Sequence, residues 1–197
     1  MMSKLGKILA IVGIGLVAVV FAIGSWFVGS SNKLVAMEAE VDGAWAQVEN
    51  GLQRRYDLIP NLVSTVEGSM TQEREIFESI ADARRTVASA STVEDVAEAN
   101  ANLTSELQTL VNVVHESYPD LASNENVQNL MTQLEGTENR IAVERQRYNE
   151  TVTEYNVTIK QIPMNIIAGF TGHNERDLFE ATDGAEVAPT VEFDFGG

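Results

Sequence analysis

The residues that most often carry catalysis or bind metals are scarce in this chain. Its 197 residues include no cysteine and two histidines, His115 and His173. A zinc site would therefore need carboxylates for at least half of its ligands. The Glu-x-x-His pattern of di-iron helical proteins is missing, because Asn112 and Phe170 stand three residues before the two histidines. His115 is better explained as a helix-end residue beside the negative end of the helix dipole.

Motifs for phosphate binding and nucleophilic catalysis are also missing. The sequence contains no Gly-x-Ser-x-Gly, P-loop or Gly-x-Gly-x-x-Gly motif. Carboxylate pairs are frequent, but in so acidic a chain they are expected to be solvated surface charges. We therefore expect no cofactor, no metal and no enzymatic activity, and a helical-bundle metalloenzyme is the least favoured alternative.

Two charged residues fall where helical spacing would place them among apolar neighbours. Steps of three and four residues after Leu52 include Arg55, and the same steps after Ile141 include Glu144. A buried ion must be paired, because an unpaired one is strongly destabilising. We predict that Arg55 and Glu144 form a buried salt bridge. The alternative is that one or both side chains extend outward to water.

Two Tyr–Asn pairs recur seven residues apart. Tyr148 and Asn149 are followed by Tyr155 and Asn156, so both pairs lie on one stripe of a helix, two turns apart. The stripe is either a docking surface or a place where tyrosines close the core with their hydroxyls at its rim. Trp45 is expected in the core rather than in a ligand platform, because it lies in an apolar stripe.

The first element that must position these residues is an apolar N-terminal segment. Residues 8–28 carry no charge and are long enough to cross a hydrocarbon core of about 30 Å. A cleaved signal peptide has a shorter apolar region, of about 7–15 residues. We therefore predict one uncleaved transmembrane helix at 8–28, preceded by a short basic segment at 1–7.

The charges on the two sides of this helix predict its orientation. Lys4 and Lys7 precede it, whereas Lys33 alone is basic before the acidic residues that start at Glu38. The positive-inside rule places the N-terminus in the cytoplasm and the body outside the inner cell membrane. The body has 29 acidic residues and a charge of about −19, which repels nucleic acid and anionic lipid. The bilayer is expected to be contacted through residues 8–28.

Apolar residues spaced three and four apart predict four amphipathic helices in the body, residues 33–163. In order, these helices are predicted at about 33–67, 71–90, 93–118 and 124–163. Pro60 lies inside the first, where it is expected to kink or break the helix. Short turns between long helices predict an all-α, up-down-up-down antiparallel four-helix bundle with coiled-coil-like packing.

The last segment, residues 164–197, is rich in glycine and acidic residues and predicts a flexible tail. One apolar patch interrupts it, at Ile166, Ile167 and Phe170. An even number of helices returns the chain to the end of the bundle that it entered from the membrane. The patch is therefore expected near the membrane, where it could contact lipid or a neighbouring molecule.

Several stretches of the sequence resemble the LemA family. They are LQRRYDLIPNLV at 52–63, YPDL at 118–121, NEN at 124–126, ENRIA at 138–142 and YN at 148–149. The similarity extends from about Leu34 to Ala181. It implies a four-helix bundle behind a membrane helix, in bacterial or archaeal membrane proteins without established catalytic activity.

The family resemblance implies a scaffolding or membrane-shaping role, because relatives take part in magnetosome membrane formation. It provides no catalytic residues. Our candidates for structural or interaction roles are Arg54, Arg55, Pro60, Asn61, Glu138, Arg140, Glu144, Tyr148, Asn149, Tyr155, Ile166, Ile167 and Phe170.

Three functions from different classes follow. We expect a self-assembling membrane scaffold, and the alternatives are a membrane-anchored sensor or adaptor that binds another protein through the bundle, and the metalloenzyme already mentioned. A homo-oligomer is predicted because the membrane helix contains small residues that allow close helix packing. These residues are Gly13, Gly15, Ala18, Ala22 and Gly24.

Overall fold

The computed structural model describes residues 4–180, with side chains from Val12 onward. Six helices make up its regular secondary structure, and the described part of the chain contains no strand. They are α1 Lys4–Glu67, α2 Arg74–Ser89, α3 Val93–Ser117, α4 Pro119–Ala122, α5 Glu125–Lys160 and α6 Met164–Thr171. The prediction of an all-α protein is confirmed.

Helix α1 contains both the predicted membrane helix and the first predicted body helix. Of the described residues, it is the one helix long and apolar enough to cross a membrane. Apart from Phe27, which is partly covered, the large apolar side chains from Val12 to Val28 are 47–76% exposed. Pro60 lies inside α1, so the helix does not break at this residue.

Helix α3 has a side-chain cap at its start and a proline soon after its end. Thr92 precedes α3, and its side chain accepts a hydrogen bond from the backbone N–H of Asp95, whose carboxylate accepts one from Thr92 in return. This capping box satisfies two backbone donors that a helix start otherwise leaves unpaired. At the other end, α3 stops at Ser117, before Pro119, which begins the short α4.

The chain folds into two compact units. In the described residues, unit 1 comprises residues 4–44 and Glu150–Arg176, and unit 2 comprises Trp45–Asn149 and residues 177–180. Of the three boundaries along the chain, one falls in α1, one in α5 and the third after Arg176, beyond α6. Each unit is described separately below.

Unit 2 has an aliphatic core to which α1, α2, α3 and α5 all contribute. Its buried members are Ile59, Leu62, Val66, Met70, Ile80, Ala83, Leu103, Leu107, Leu110, Val114 and Val127. Most of these residues lie on the apolar stripes that three-and-four spacing predicts, whereas Met70 lies between α1 and α2. Most of the core of unit 2 therefore follows from the sequence pattern.

Helices α1 and α5 are antiparallel and closely packed in unit 2. The rings of Trp45 and Tyr148 are 5.2 Å apart, and Arg55 pairs with Glu138, so residue numbers rise on α1 as they fall on α5. Between these contacts, a Cβ at Gly51 would lie 2.8 Å from Cγ1 of Ile141. A glycine at this position lets the two backbones approach.

Unit 1 has a smaller set of buried side chains. Helix α1 provides Leu34, Met37 and Val41, α5 provides Val152, Tyr155 and Ile159, and α6 provides Ile167 and Ala168. The prediction of a flexible tail from residue 164 is wrong for residues 164–180. Apolar spacing in a short segment forms α6, and Phe179, which belongs to unit 2, is buried at 2% exposure. The rest of the predicted tail lies outside the described residues.

Candidate functional site

The most buried charged group of unit 2 is Arg55, which is 3% exposed. Its two terminal nitrogens donate hydrogen bonds of 2.7 Å each, one to Oε2 of Glu138 on α5 and one to the hydroxyl of Thr104 on α3. Thr104 in turn donates to the backbone carbonyl of Asn100, at 2.8 Å. One side chain of α1 is thus held by two other helices.

The predicted partner of Arg55 was wrong. Glu144 pairs with Arg147, one turn further along α5, at 3.4 Å. The antiparallel register explains the error: with Gly51 facing Ile141, four residues forward on α1 correspond to about four residues back on α5, which is close to Glu138. The predicted burial of Arg55 is confirmed.

Two features of its environment change the pKa of Arg55 in opposite directions. Burial lowers the pKa of Arg55, and the negative charge of Glu138 opposes that change. Burial likewise lowers the pKa of Arg145 on α5, again opposed by Glu138. Arginine stays protonated in either case. Glu138 is therefore the carboxylate that compensates the positive charge here, and its own side chain is 42% exposed.

A groove of about 570 Å³ in unit 2 borders this ion pair. Leu107 and Met131 contribute apolar surface to it, and Arg55, Glu135 and Glu138 contribute charge. Such a mixed surface can accept an amphipathic side chain or peptide. It contains none of the residue sets that hold a metal: no cluster of three or more His, Cys, Asp or Glu suited to a metal occurs in the described residues.

A second polar groove, of about 650 Å³, collects three of the predicted residues. Arg54 and Asn61 of α1 and Arg140 of α5 line it together with other polar side chains. Asn61 also donates a hydrogen bond of 3.4 Å to the backbone carbonyl of Asp57. Pro60, next to Asn61, is exposed on α1. The sequence motif around Pro60 therefore faces both the core, through Ile59, and a polar surface.

In unit 2 the first Tyr–Asn pair binds the backbone of residues 177–179, which follow α6 and have no regular secondary structure. The amide of Asn149 donates to the carbonyl oxygen of Phe179 at 3.0 Å and accepts from its N–H at 2.8 Å. The hydroxyl of Tyr148 donates to the carbonyl of Asp177 at 2.8 Å. Trp45 packs against the ring of Phe179, with 5.9 Å between centroids, and Arg145 lies over the same ring at 4.6 Å.

In unit 1 the asparagine of the second Tyr–Asn pair, Asn156, makes the same two kinds of hydrogen bond with the backbone of Arg176. Asn156 donates to the carbonyl of Arg176 at 2.8 Å and accepts from its N–H at 2.9 Å. The Arg176 side chain pairs with Glu38 at 2.8 Å and with Asp42 at 3.3 Å. His173 lies 3.1 Å from Glu38 through its Nδ1. Glu38 of α1 is thus the centre of a polar network.

Tyr155 differs from Tyr148 in its hydroxyl. Its ring is fully buried, and the oxygen has no hydrogen-bond partner among the described residues. Burial raises the pKa of Tyr155, and the charge of Glu38 adds to this effect, whereas Arg176 opposes it. The ring meets that of His173 edge-on at 6.5 Å. Tyr148 therefore donates a hydrogen bond to the backbone of residue 177, whereas Tyr155 only packs against its surroundings.

The apolar patch predicted after residue 163 is divided between the two faces of α6. Ile167 is 1% exposed, whereas Ile166 and Phe170 are 57% and 80% exposed. A helix separates neighbouring positions by about 100°, which explains why adjacent isoleucines differ so much.

Sequence reasoning missed the partners that come from distant segments. Thr104, His173, Arg176 and Phe179 were not among the candidates, although each contacts one that was or lies in its network. The available signal was weak: Leu178 and Phe179 are two apolar residues within a charged stretch, which predicts a buried point.

A family model described as the LemA family matches residues 44–193. Magnetosome protein MamQ 1 and Magnetosome protein MamQ 2 of Paramagnetospirillum magneticum are each 27% identical, over 76% of this chain and 64% of theirs. Magnetosome protein MamQ of Magnetospirillum gryphiswaldense is 26% identical, over 81% of this chain and 69% of the relative. The matched region thus spans less than two thirds of the first two relatives.

Proposed function

Since the chain belongs to the LemA family, we propose that it is a non-enzymatic, membrane-anchored helical protein that assembles with copies of itself into a membrane scaffold. The magnetosome proteins similar to it support a role at a membrane. The family match confirms the resemblance found in the sequence, and it runs past Ala181 to residue 193.

One observation in unit 1 carries the membrane anchor. The exposed apolar stretch from Val12 to Val28 continues without a turn into the buried Leu34 and Met37 of the same helix. A water-soluble protein rarely exposes an apolar surface of this length, because burial of apolar area is strongly favourable. The bilayer is the medium that covers such a surface at low cost. The lysines before the span favour an N-terminus in the cytoplasm and a body outside.

The body that this anchor holds is proposed to be an antiparallel, up-down four-helix bundle. Contributions of α1, α2, α3 and α5 to one core, and the antiparallel contacts between α1 and α5, support this topology. Short connections between the long helices favour it as well.

Self-assembly through the membrane helix is supported by its small residues. Gly15, Ala18 and Ala22 are spaced three and four apart and therefore share one face. A Cβ placed at Gly13 or Gly15 would meet nothing within 4 Å. A larger side chain at either position consequently leaves the monomer undisturbed, and its effect reports on contacts between chains.

The test is the mass of the full-length protein in mild detergent, measured by light scattering at several salt concentrations. We expect an oligomer that is favoured by salt, because screening over about 8 Å weakens repulsion between acidic bodies. Gly15→Leu should lower the mass towards that of a monomer. Gly13→Leu is the matched control, since a two-residue step turns the side chain to the opposite face of α1. A strict monomer at every salt concentration would refute the scaffold.

The groove beside Arg55 supports a second function, that of a membrane-anchored adaptor. Its apolar and charged lining suits an amphipathic peptide of another protein. Full-length protein used as bait in detergent distinguishes the two functions: a scaffold retains mainly itself, whereas an adaptor retains a different protein that Met131→Glu releases. Metal analysis of the same preparation tests the third alternative, a helical-bundle metalloenzyme.

A further inference from the structure

We propose that α6 is a second membrane contact, which lies in the bilayer interface and inserts Ile166 and Phe170 into lipid. This inference rests on the proposed membrane anchor but adds a surface that the anchor does not require. The outer face of α6, defined here as Ile166 and Phe170 together with the preceding Ile162, is 57%, 80% and 83% exposed. These are large apolar side chains spaced four residues apart.

The other face of α6 is buried within unit 1. Ile167 and Ala168 are 1% and 4% exposed. Helix α6 is therefore held against its unit, and its outer face is left over after the core of that unit is complete. Helix α6 thus has one apolar face that its unit covers and a second apolar face that it leaves uncovered. An uncovered apolar face of this kind is typical of contact with a second apolar medium.

The side chains of α1 begin to be covered at the edge of the membrane span. On α1, every described side chain before Phe27 is exposed, and Phe27, Ser30 and Ser31 are partly covered. Coverage of α1 thus begins at Phe27, next to the end of the uncharged stretch 8–28.

In the other segment of unit 1, Glu150–Arg176, helix α5 ends close to the span. Tyr155 packs near Glu38, through the ring of His173, and α5 continues only five residues beyond it, about 7.5 Å. The end of α5 is therefore about level with Lys33 of α1, and α6 begins four residues later, at Met164. Lys33 is about five residues, or about 7.5 Å along α1, from the end of the uncharged stretch.

Composition supports lipid as the occupant. Residues 161–174 contain no Asp, Glu, Lys or Arg, although the rest of the body is strongly acidic. A helix without charge can enter the interface without the cost of burying an ion. Trp26, at the same end of the span, is 47% exposed, and tryptophan is enriched at membrane interfaces.

The test uses single cysteines in the full-length chain, which has none of its own. Ile166→Cys and Phe170→Cys are labelled with an environment-sensitive fluorophore and reconstituted in phosphatidylcholine vesicles. Val17→Cys, in the span, is the positive control. Val157→Cys is the matched negative control, because Val157 is a 47% exposed apolar residue of α5 in the same unit. Circular dichroism checks that each variant keeps its helices, and Gly169→Cys, where an added Cβ meets nothing within 4 Å, replaces a variant that unfolds.

We expect nitroxide-labelled lipid to quench the probes at 166 and 170 nearly as strongly as the probe at 17, and aqueous iodide to quench only the probe at 157. Probes at 166 and 170 that behave like the one at 157 would overturn the inference and leave the membrane anchor intact. Probes that neither quencher reaches would overturn it in favour of a contact between copies. Failure of lipid to quench the probe at 17 would overturn the anchor as well.

Discussion

Units 1 and 2 differ in where they put their large apolar side chains. In unit 2 these residues form the core, and Val143 is the one large apolar side chain that is substantially exposed in its described part. In unit 1, the span from Val12 to Val28 and the outer face of α6 are exposed. Burial of apolar area stabilises unit 2 in water, whereas unit 1 leaves a comparable surface for another medium.

The polar groups of the two units differ in a matching way. Unit 2 buries one arginine, Arg55, and compensates it with one carboxylate. Unit 1 uses a partly exposed network around Glu38, in which His173 and Arg176 take part. Unit 2 therefore depends on a few buried contacts and unit 1 on several partly exposed ones, a difference that substitutions can measure.

The largest effect is expected from Glu138→Ala in unit 2. This change leaves the Arg55 guanidinium buried with Thr104 as its remaining hydrogen-bond partner. Loss of one partner of a buried ion pair costs about 3 kcal/mol of unfolding free energy. Urea unfolding of the full-length protein in detergent, followed by circular dichroism, measures the loss.

Two further carboxylates serve as controls for this result. Glu144→Ala, on the same helix, removes a partner of Arg147, whose side chain is 67% exposed, and should cost less than about 1 kcal/mol. Glu38→Ala in unit 1 should also cost less than Glu138→Ala, because Arg176 keeps Asp42 and is 40% exposed. Equal losses at Glu138 and Glu38 would remove the distinction between the two units.

A smaller effect is expected from Gly51→Ala, which tests the close packing of α1 and α5 in unit 2. The new methyl group would lie 2.8 Å from Cγ1 of Ile141, so the Ile141 side chain or one of the helices must shift. Overpacking of this kind costs about 1–3 kcal/mol. Gly136→Ala on α5 is the control: nothing lies within 4 Å of its added Cβ, and alanine should stabilise the helix by about 0.5–1 kcal/mol. If both changes stabilise the protein, the packing in unit 2 is looser than described.

The two tyrosines of the repeated pairs, one in each unit, differ in the hydrogen bonding of their hydroxyls. Tyr148→Phe removes the hydrogen bond to Asp177 and should cost about 0.5–1.5 kcal/mol. Tyr155→Phe removes a buried hydroxyl without a partner in the described residues and should be neutral or stabilising. Thermal unfolding of the two variants would contradict this if both lost stability equally.

The buried Tyr155 also predicts that the wild type and Tyr155→Phe differ in stability at alkaline pH. Burial raises its pKa above 10.0 in the folded protein, so the folded state holds the proton more tightly than the unfolded state does. Its contribution to stability is complete below pH 10 and is lost as the pH rises further. The wild type should therefore lose stability between pH 9 and 11 more steeply than Tyr155→Phe, a comparison that thermal unfolding across this range measures.

The smallest effect concerns the capping box of α3 in unit 2. Hydrogen bonds from Thr92 hold the pKa of Asp95 below its ordinary value of 3.8. Its stabilising contribution is complete above that value and is lost as the pH falls through the lowered pKa. Asp95→Asn should therefore flatten the acid side of the stability profile. An NMR titration of the Asp95 carboxyl that gives its ordinary pKa would contradict the cap.

Local patterns in the sequence specify the helices, the apolar span and most of the core of unit 2. Three-and-four spacing selects residues such as Leu103, Leu107 and Leu110, because the side chains of one helix face recur with the turn of the helix itself. The predicted start of the third helix, at about 93, agrees with α3, whose cap at Thr92 acts within three residues of its own helix.

Tertiary structure alone decided which residues of different helices meet. Arg55 was predicted to be buried, but its partner depends on the register of α1 against α5, which Gly51 and Ile141 set where the helices pack closely. The ordered structure of residues 164–180 also depends on tertiary contacts. Asn149 and Asn156 hold their backbone through contacts 20–30 residues apart in sequence. Helical periodicity is local, so it specifies the face of a residue but contains no information on the neighbour that this face meets.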